Sequence, residues 1–189
     1  VKRLREVKEY PELFKAAFPG ETEALTYDNV AKAIAAFERT LVTRDRFDDF
    51  QKGSEKVLNA REIAGLKTFI ETGCITCHSG PLLGGNAYYK IGIIHSYSTN
   101  DVGRAEITKD PEDQQKFKVP MLRNIALTGP YFHDGKVVSL EEAVRKMAWL
   151  QLDKRLTDEE VASIVAFLNT LTDKARAANA RANKSRNGG

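Results

Sequence analysis

Residues 73–80 read Gly-Cys-Ile-Thr-Cys-His-Ser-Gly and hold both cysteines of the 189-residue chain. Two thiols in a Cys-x-x-Cys-His run suit addition to the two vinyl groups on one edge of a porphyrin, and the adjoining imidazole can then turn under the iron. Rival uses of the same residues are weaker. A structural zinc ion wants four N or S ligands, and only His95 and His133 remain to complete a set, neither in the paired spacing of a finger. A thioredoxin-like redox pair belongs at a strand-to-helix turn of a βαβ unit, whereas this pair follows a helical pattern. Cysteines so close together staple no large loop, so the chain is no disulfide scaffold. Covalent haem remains, with Cys74 and Cys77 as attachment points and His78 as the fifth iron ligand.

The sixth ligand decides the task. An open sixth position admits peroxide or oxygen, while a thioether filling it makes an electron carrier and raises the potential. Met121, Met147, His95 and His133 are the available side chains. Met147 falls on the apolar stripe of a helical stretch, where a core methionine is ordinary. Met121 follows Val119 and Pro120 in an irregular segment, and spacing leaves both methionines open.

The elements that position these residues are helical. Leu4 and Val7, then Leu13, Phe14 and Ala17, mark two short helices around Pro11, ended by Pro19 and Gly20. Thr26 and Asp28 are candidate caps for a stronger helix whose Val30, Ile34, Phe37 and Leu41 share one face. The charged stretch 44–56 reads as a connection between two units, with Asp48 and Asp49 solvated. Asn59 and Glu62 have capping spacing, and Ile63, Leu66, Phe69 and Ile70 form a stripe that stops at Gly73 and delivers the chain into Cys74. Residues 79–138 are rich in Gly, Pro, Asn and Asp. Sixty such residues are unusual in a compact domain unless they wrap something, and a flat cofactor is a natural object to wrap. Ser139 with Glu142 and Thr157 with Glu160 open two closing helices, with stripes at Leu140, Val144, Met147 and at Val161, Ile164, Val165, Leu168. The plan is all-α, a c-type cytochrome domain preceded by a helical segment.

Composition sets the outer bounds. With 42% hydrophobic and 29% charged residues, the chain has the balance of a soluble globular protein. Its apolar runs are only a few residues long, so no membrane span is expected. The formal charge of +3 includes five cations in residues 174–189, leaving −2 for the rest. A near-neutral body argues against a nucleic-acid surface, and the tail reads as disordered. Residue 1 is Val rather than Met, so the chain reads as a mature or truncated product, and the missing leader says nothing against export.

Other residues have plainer readings. His133, beside Asp134 and Gly135, ties a loop, and His95 is structural. Arg123 and Lys118 have the chemistry to bond haem propionates. Trp149 is a core residue of its helix. Gly84 and Gly85 make no phosphate loop, because no Gly-Lys-Ser/Thr follows.

From about residue 10 to residue 171 the chain resembles the C-terminal part of the bacterial di-haem cytochrome c peroxidases, a family that includes the MauG-type enzymes. The matching segments are EYPELFKAAFPGE, NVAKAIAAFERTLVT, GCITCHSGPLLGG, FKVPMLRNIALTGPYFHDG and VASIVAFLNTLT. The resemblance implies two haems c, a peroxidatic one in an N-terminal domain and an electron-transferring one in the C-terminal domain. Electrons from a small c-type cytochrome or cupredoxin enter the second and cross to the first, where hydrogen peroxide becomes water. Cys74, Cys77 and His78 match the electron-transfer haem's attachment site and proximal ligand. Met147, fourteen residues after His133, matches its distal methionine, which MauG-type members replace with tyrosine. Met121 then becomes a packing residue. The resemblance further implies calcium held partly by the main-chain carbonyls of Thr128 and Pro130, a periplasmic location and a homodimer.

One departure matters. The chain holds a single Cys-x-x-Cys-His motif, so the resemblance puts the peroxidatic haem's motif before residue 1, the chain being either a fragment of a larger peroxidase or one whose remainder lies on another polypeptide. Residues 1–45 are then the trailing helical part of the N-terminal haem domain, 46–172 the C-terminal cytochrome c domain and 173–189 the basic tail. By itself the chain is not expected to turn over peroxide. The alternatives are a stand-alone mono-haem electron carrier and a MauG-like di-haem oxidase, the second disfavoured by Met147.

Overall fold

The computed structural model describes residues 1–173 and residue 175. It divides into two compact units, Val1–Thr43 and a second that begins at Arg44. Beyond residue 173 the expected basic tail lies outside the described residues, residue 175 apart. Among the described residues no helix is long and apolar enough to cross a membrane.

The first unit holds α1 (Lys2–Arg5), α2 (Glu9–Ala17) and α3 (Tyr27–Glu38). Pro11 sits in the first turn of α2, where its missing N–H costs no helical bond. Thr26 caps α3 by accepting from the Asn29 N–H at 3.2 Å. Phe14, Ala24 and Leu25 make a small core against which Leu4, Phe18 and Val30 pack. The rest of the α3 stripe is open: Ile34 is 54% and Phe37 63% exposed. Helical periodicity marks a face as apolar without naming what covers it.

In the second unit the stretch expected to connect two units is instead part of the core. α4 (Arg46–Gln51) is closed by a capping box in which the carboxylates of Asp45 and Asp48 each accept the other's backbone N–H. Its Phe47 is buried and Phe50 packs beside it. The long helices follow as α5 (Ala60–Thr72), then α7 (Leu140–Leu152) and α8 (Asp158–Thr170), with the short α6 (Ala105–Thr108) between α5 and α7. Their starts are those the sequence predicts. Asn59 with Glu62 and Thr157 with Glu160 form complete capping boxes, and Ser139 caps α7 by accepting from the Glu142 N–H. Between α5 and α7 the chain is largely irregular, as its composition predicts. The addition is a ribbon of β1 (Tyr88–Lys90) and β2 (Lys116–Lys118), antiparallel with Tyr88 opposite Lys118. The fold is otherwise all-α.

α5 packs chiefly on α8, and the crossing depends on Gly65. A Cβ there would collide with the Ser163 carbonyl of α8 and meet the Phe167 side chain. With Gly65 the backbones approach closely enough for Phe167, 0% exposed, to lie between Phe47 and Phe69. Its ring centroid is 5.3 Å from Phe47, edge-on, and 5.4 Å from Phe69, within the range of favourable aromatic pairs.

The polar counterpart of this core is Arg123, whose side chain is 8% exposed. Its guanidinium pairs with Asp45 at 2.6 Å and Asp48 at 3.0 Å. Nε donates to the Pro81 carbonyl at 3.1 Å, and the group lies 5.6 Å from the Phe47 ring centroid. The propionate chemistry open to Arg123 by residue type is thus not what its side chain does here, and the reading of Asp48 as solvated is corrected. A planar fork buried among two carboxylates and a carbonyl has its donors committed.

Two substitutions test this account. In an ordinary helix Gly→Ala gains about 1 kcal/mol, but at Gly65 the collision outweighs it, and Gly65→Ala is expected to lower urea unfolding stability by about 2 kcal/mol. An unchanged or higher midpoint would refute the close crossing. Arg123→Leu strands buried carboxylates and should cost about 3–5 kcal/mol. Arg123→Lys, which keeps the charge and loses the fork, should fall between that variant and the parent.

Candidate haem site

The motif is set by the way α5 ends. Gly73 takes a left-handed conformation and caps the helix, and the next residues turn at once into one helical turn. The N–H groups of Cys77 and His78 both bond the Cys74 carbonyl, at 3.3 and 3.0 Å. That turn brings two sulfurs and one imidazole out of three nearly consecutive residues. Both cysteines are unpaired thiols and half-buried. Burial pushes the Cys74 thiol up to about 11 and raises Cys77 as well, so both are neutral at pH 7. A catalytic redox pair needs a lowered thiol.

His78 is oriented by main chain. Its Nδ1 lies 3.2 Å from the Leu83 carbonyl oxygen, and since a carbonyl only accepts, Nδ1 carries the proton and Nε2 keeps its lone pair. Burial lowers the pKa of the ring, while bonds to the Leu83 and Pro120 carbonyls oppose that shift. The outcome is a neutral imidazole with one nitrogen anchored and the other basic, the arrangement usual for a metal-ligating histidine. Leu83 reaches it with φ 51°. Gly84 follows, packed so tightly on the Pro120 carbonyl that a Cβ would overlap it. The Gly85 N–H donates to the Val119 carbonyl at 2.9 Å. Segments 79–85 and 119–122 thus form one cradle behind His78.

The other candidates come from several segments of the second unit. On α7, Leu140 and Val144 join the core, and Met147, next on the same face, is half-buried. Met121, on the second of the two cradle segments, is 49% exposed rather than packed. His95 lies flat on Trp149, ring centroids 3.6 Å apart and planes within 6°, and its Nε2 bonds Asp153 at 2.6 Å. His133 stacks on Phe117 at 4.0 Å and meets the Thr99 hydroxyl at 3.2 Å, which ties the loop as its sequence suggests. The neighbouring Asp134 accepts from the Tyr97 hydroxyl at 3.0 Å. Thr128 and Pro130 flank a cis Gly129–Pro130 bond. Among the described residues no group of three or more His, Cys, Asp or Glu side chains gathers to hold a metal ion.

The residues fit a covalently attached haem. Free thiols on one turn, a neutral imidazole with a bare Nε2, and exposed apolar side chains nearby in sequence, Ile75, Leu82 and Ile93 among them, are what a large apolar disc with an iron centre requires. Absent from the sequence reading were the Leu83 carbonyl and the Arg123 network, which depend on backbone conformation and on partners far along the chain.

Comparison with known proteins agrees with this chemistry. The family model for di-haem cytochrome c peroxidase matches residues 1–56, and that for cytochrome c matches residues 63–172. The cytochrome c551 peroxidase of Pseudomonas aeruginosa is 43% identical over 177 residues, covering 90% of this chain and 51% of that protein. The enzyme of the same name from Nitrosomonas europaea is 43% identical over 174 residues, covering 90% and 52%. The chain therefore spans about half the length of these relatives. Among solved structures, a MauG-like protein associated with microbial copper homeostasis aligns with TM-score 0.75 at 30% identity, over 92% of this chain and 61% of that one. A cytochrome c domain carries haem c, and on the segment 63–172, more than half of its length, the chain belongs to the cytochrome c family, while its first 56 residues are similar to the di-haem cytochrome c peroxidases.

Proposed function

We propose that this chain is the electron-receiving haem portion of a periplasmic peroxidase that reduces hydrogen peroxide to water. Cys74 and Cys77 hold the haem by thioether bonds, His78 Nε2 is the proximal ligand and the Met147 sulfur the distal one. The observation that carries the reading is the His78 ring, neutral and anchored through Nδ1 to Leu83 directly after two free, protonated thiols. The haem supplies reversible one-electron chemistry. The protein residues do the rest: His78 is held at one angle by fixed carbonyls, and Met147 occupies the position that oxidant would need. A neutral thioether opposite a neutral imidazole favours the reduced metal and raises the potential.

Peroxide reduction then takes place at a second haem, which the family carries and for which this chain supplies no second Cys-x-x-Cys-His. Residues 1–45 belong in this reading to that second haem domain. The exposed Ile34 and Phe37 of α3 support the assignment, since an apolar face of this kind is ordinarily covered. Electron donors are a small c-type cytochrome or a cupredoxin, and the whole protein is a homodimer. A calcium ion is held by the carbonyls of Thr128 and Pro130, hard oxygen donors suited to it. Neither carbonyl accepts a hydrogen bond among the described residues.

The test is spectroscopic. Produced with cytochrome c maturation machinery, the chain should carry one haem, show the near-infrared absorption of thioether-ligated ferric iron, and reduce no peroxide alone. Met147→Ala should abolish that absorption and lower the potential, and Met121→Ala should leave both unchanged. The reverse pattern would transfer the ligand role to Met121. Peroxide turnover by this chain alone would overturn its assignment as the electron-receiving part.

A further inference from the structure

We infer that His95, Trp149 and Asp153 are positioning residues that latch the end of α7 so that Met147 is held toward the iron. The inference rests on the reading of Met147 as distal ligand. Its observations concern a different part of the molecule, the loop from Ile91 to His95 and the last turn of α7.

Met147 stands just over one turn before the helix ends at Leu152, and that last turn is gripped from outside. The N–H groups of Ile94 and His95 share the Leu150 carbonyl at 3.0 and 3.2 Å. The Ile93 N–H donates to Gln151 Oε1 at 2.8 Å, and Gln151 Nε2 donates back to the Lys90 carbonyl at 3.1 Å. The imidazole of His95 lies on Trp149 and bonds Asp153 at 2.6 Å, with the Arg155 guanidinium 4.7 Å from the same indole centroid. A small loop thus meets four of the five residues from Trp149 to Asp153.

Asp153 shows that the contact is specific. It ends α7 with φ 54°, a conformation costly for a side-chain residue other than Asn or Asp, and it places a carboxylate at the negative end of the helix dipole. Gly or Asn would end the helix with less penalty. What Asp adds over Gly is an acceptor for the His95 N–H.

The grip continues to the proximal side. Lys90 pairs with Lys116 in the ribbon, and β2 runs directly into Val119, whose carbonyl accepts from the Gly85 N–H at 2.9 Å, two residues after the Leu83 carbonyl that holds His78. Main-chain bonds and one stacked pair therefore join the proximal ligand to the helix of the distal one along a path that does not pass through the metal. A thioether is a weak ligand for ferric iron, so the fraction bound depends on how well the protein holds the sulfur in place.

The experiment uses the haem-loaded chain and titrates ferric protein with imidazole, which must displace the methionine. Losing the His95 bond and stack in His95→Ala should raise the apparent imidazole affinity about tenfold, weaken the near-infrared absorption and lower the potential. His95→Gln, which keeps an N–H for Asp153, should recover part of each change. Asp153→Asn, which keeps an acceptor and suits the backbone conformation, should lie close to the parent. If His95→Ala only lowers the urea midpoint, leaving affinity, absorption and potential at parental values while Met147→Ala alters them, the latch is wrong and the ligand reading stands. If Met147→Ala leaves the absorption and the imidazole affinity unchanged, the ligand reading fails and the latch with it.

Discussion

A guanidinium buried between two carboxylates sets the frame on which the rest of the second unit depends. Removing Arg123, Asp45 and Asp48 from water costs several kcal/mol for each fully buried ion, and the mutual attraction offsets this only where geometry is good and the remaining donors are used. Here they are used: two ion pairs, the Pro81 carbonyl and the face of Phe47 surround one planar group. The consequence is positional. Three stretches far apart in sequence, the start of α4, the loop after the haem motif and the segment after Pro120, have one low-energy arrangement relative to one another. Any slip would leave a buried charge unpaired, so the network acts as a register device, a use of buried ion pairs better founded than stability alone.

That register is handed to His78 within a few residues. Pro81, held by Arg123, lies two residues before Leu83, whose carbonyl accepts the imidazole N–H hydrogen bond. Leu122, next to Arg123, donates its N–H to the Leu82 carbonyl at 3.2 Å, and the same segment presents Pro120. The ring angle is thereby a property of backbone bonds and one buried cation rather than of flexible side chains. Main-chain carbonyls cannot titrate or rotate away, which would suit His78 in its proposed role as a ligand whose orientation must survive changes of iron charge.

Local signals in the sequence were legible and non-local ones were not. The caps at Asn59, Ser139 and Thr157 are settled within four residues by hydrogen bonds that any helix start requires, and the structure has each of them. The Cys-x-x-Cys-His run is equally local, because covalent attachment needs those atoms on one turn. The stretch 44–56 misleads because its charge density looks like solvent exposure. Its meaning lies in Phe47, which enters the core, and in a cation 78 positions from Asp45. Leu83 carries no mark of its positive φ, since leucine does not favour that conformation. The stripe on α3 reads truly as amphipathic, yet Ile34 and Phe37 stay exposed, because periodicity describes one surface and burial requires two.

If His78 and Met147 hold the iron as proposed, the two side chains differ in how they are held, and the difference would suit an electron carrier. His78 sits on a turn that two thioether bonds would fix, behind which Arg123 immobilises the chain, so its side of the site has little freedom. Met147 rides on a helix whose inner face belongs to the core through Leu140 and Val144 and whose far end is restrained by the ribbon-linked loop. Reduction changes the iron's charge by one unit, and the softer thioether bond is the one that responds. Placing that ligand on a rigid helix, instead of on the irregular segment that carries Met121, limits the response to small displacements. Small displacement means low reorganisation, so under the proposed ligation Met147, which packs on a helix, would be physically the better partner for repeated one-electron transfer than the more exposed Met121.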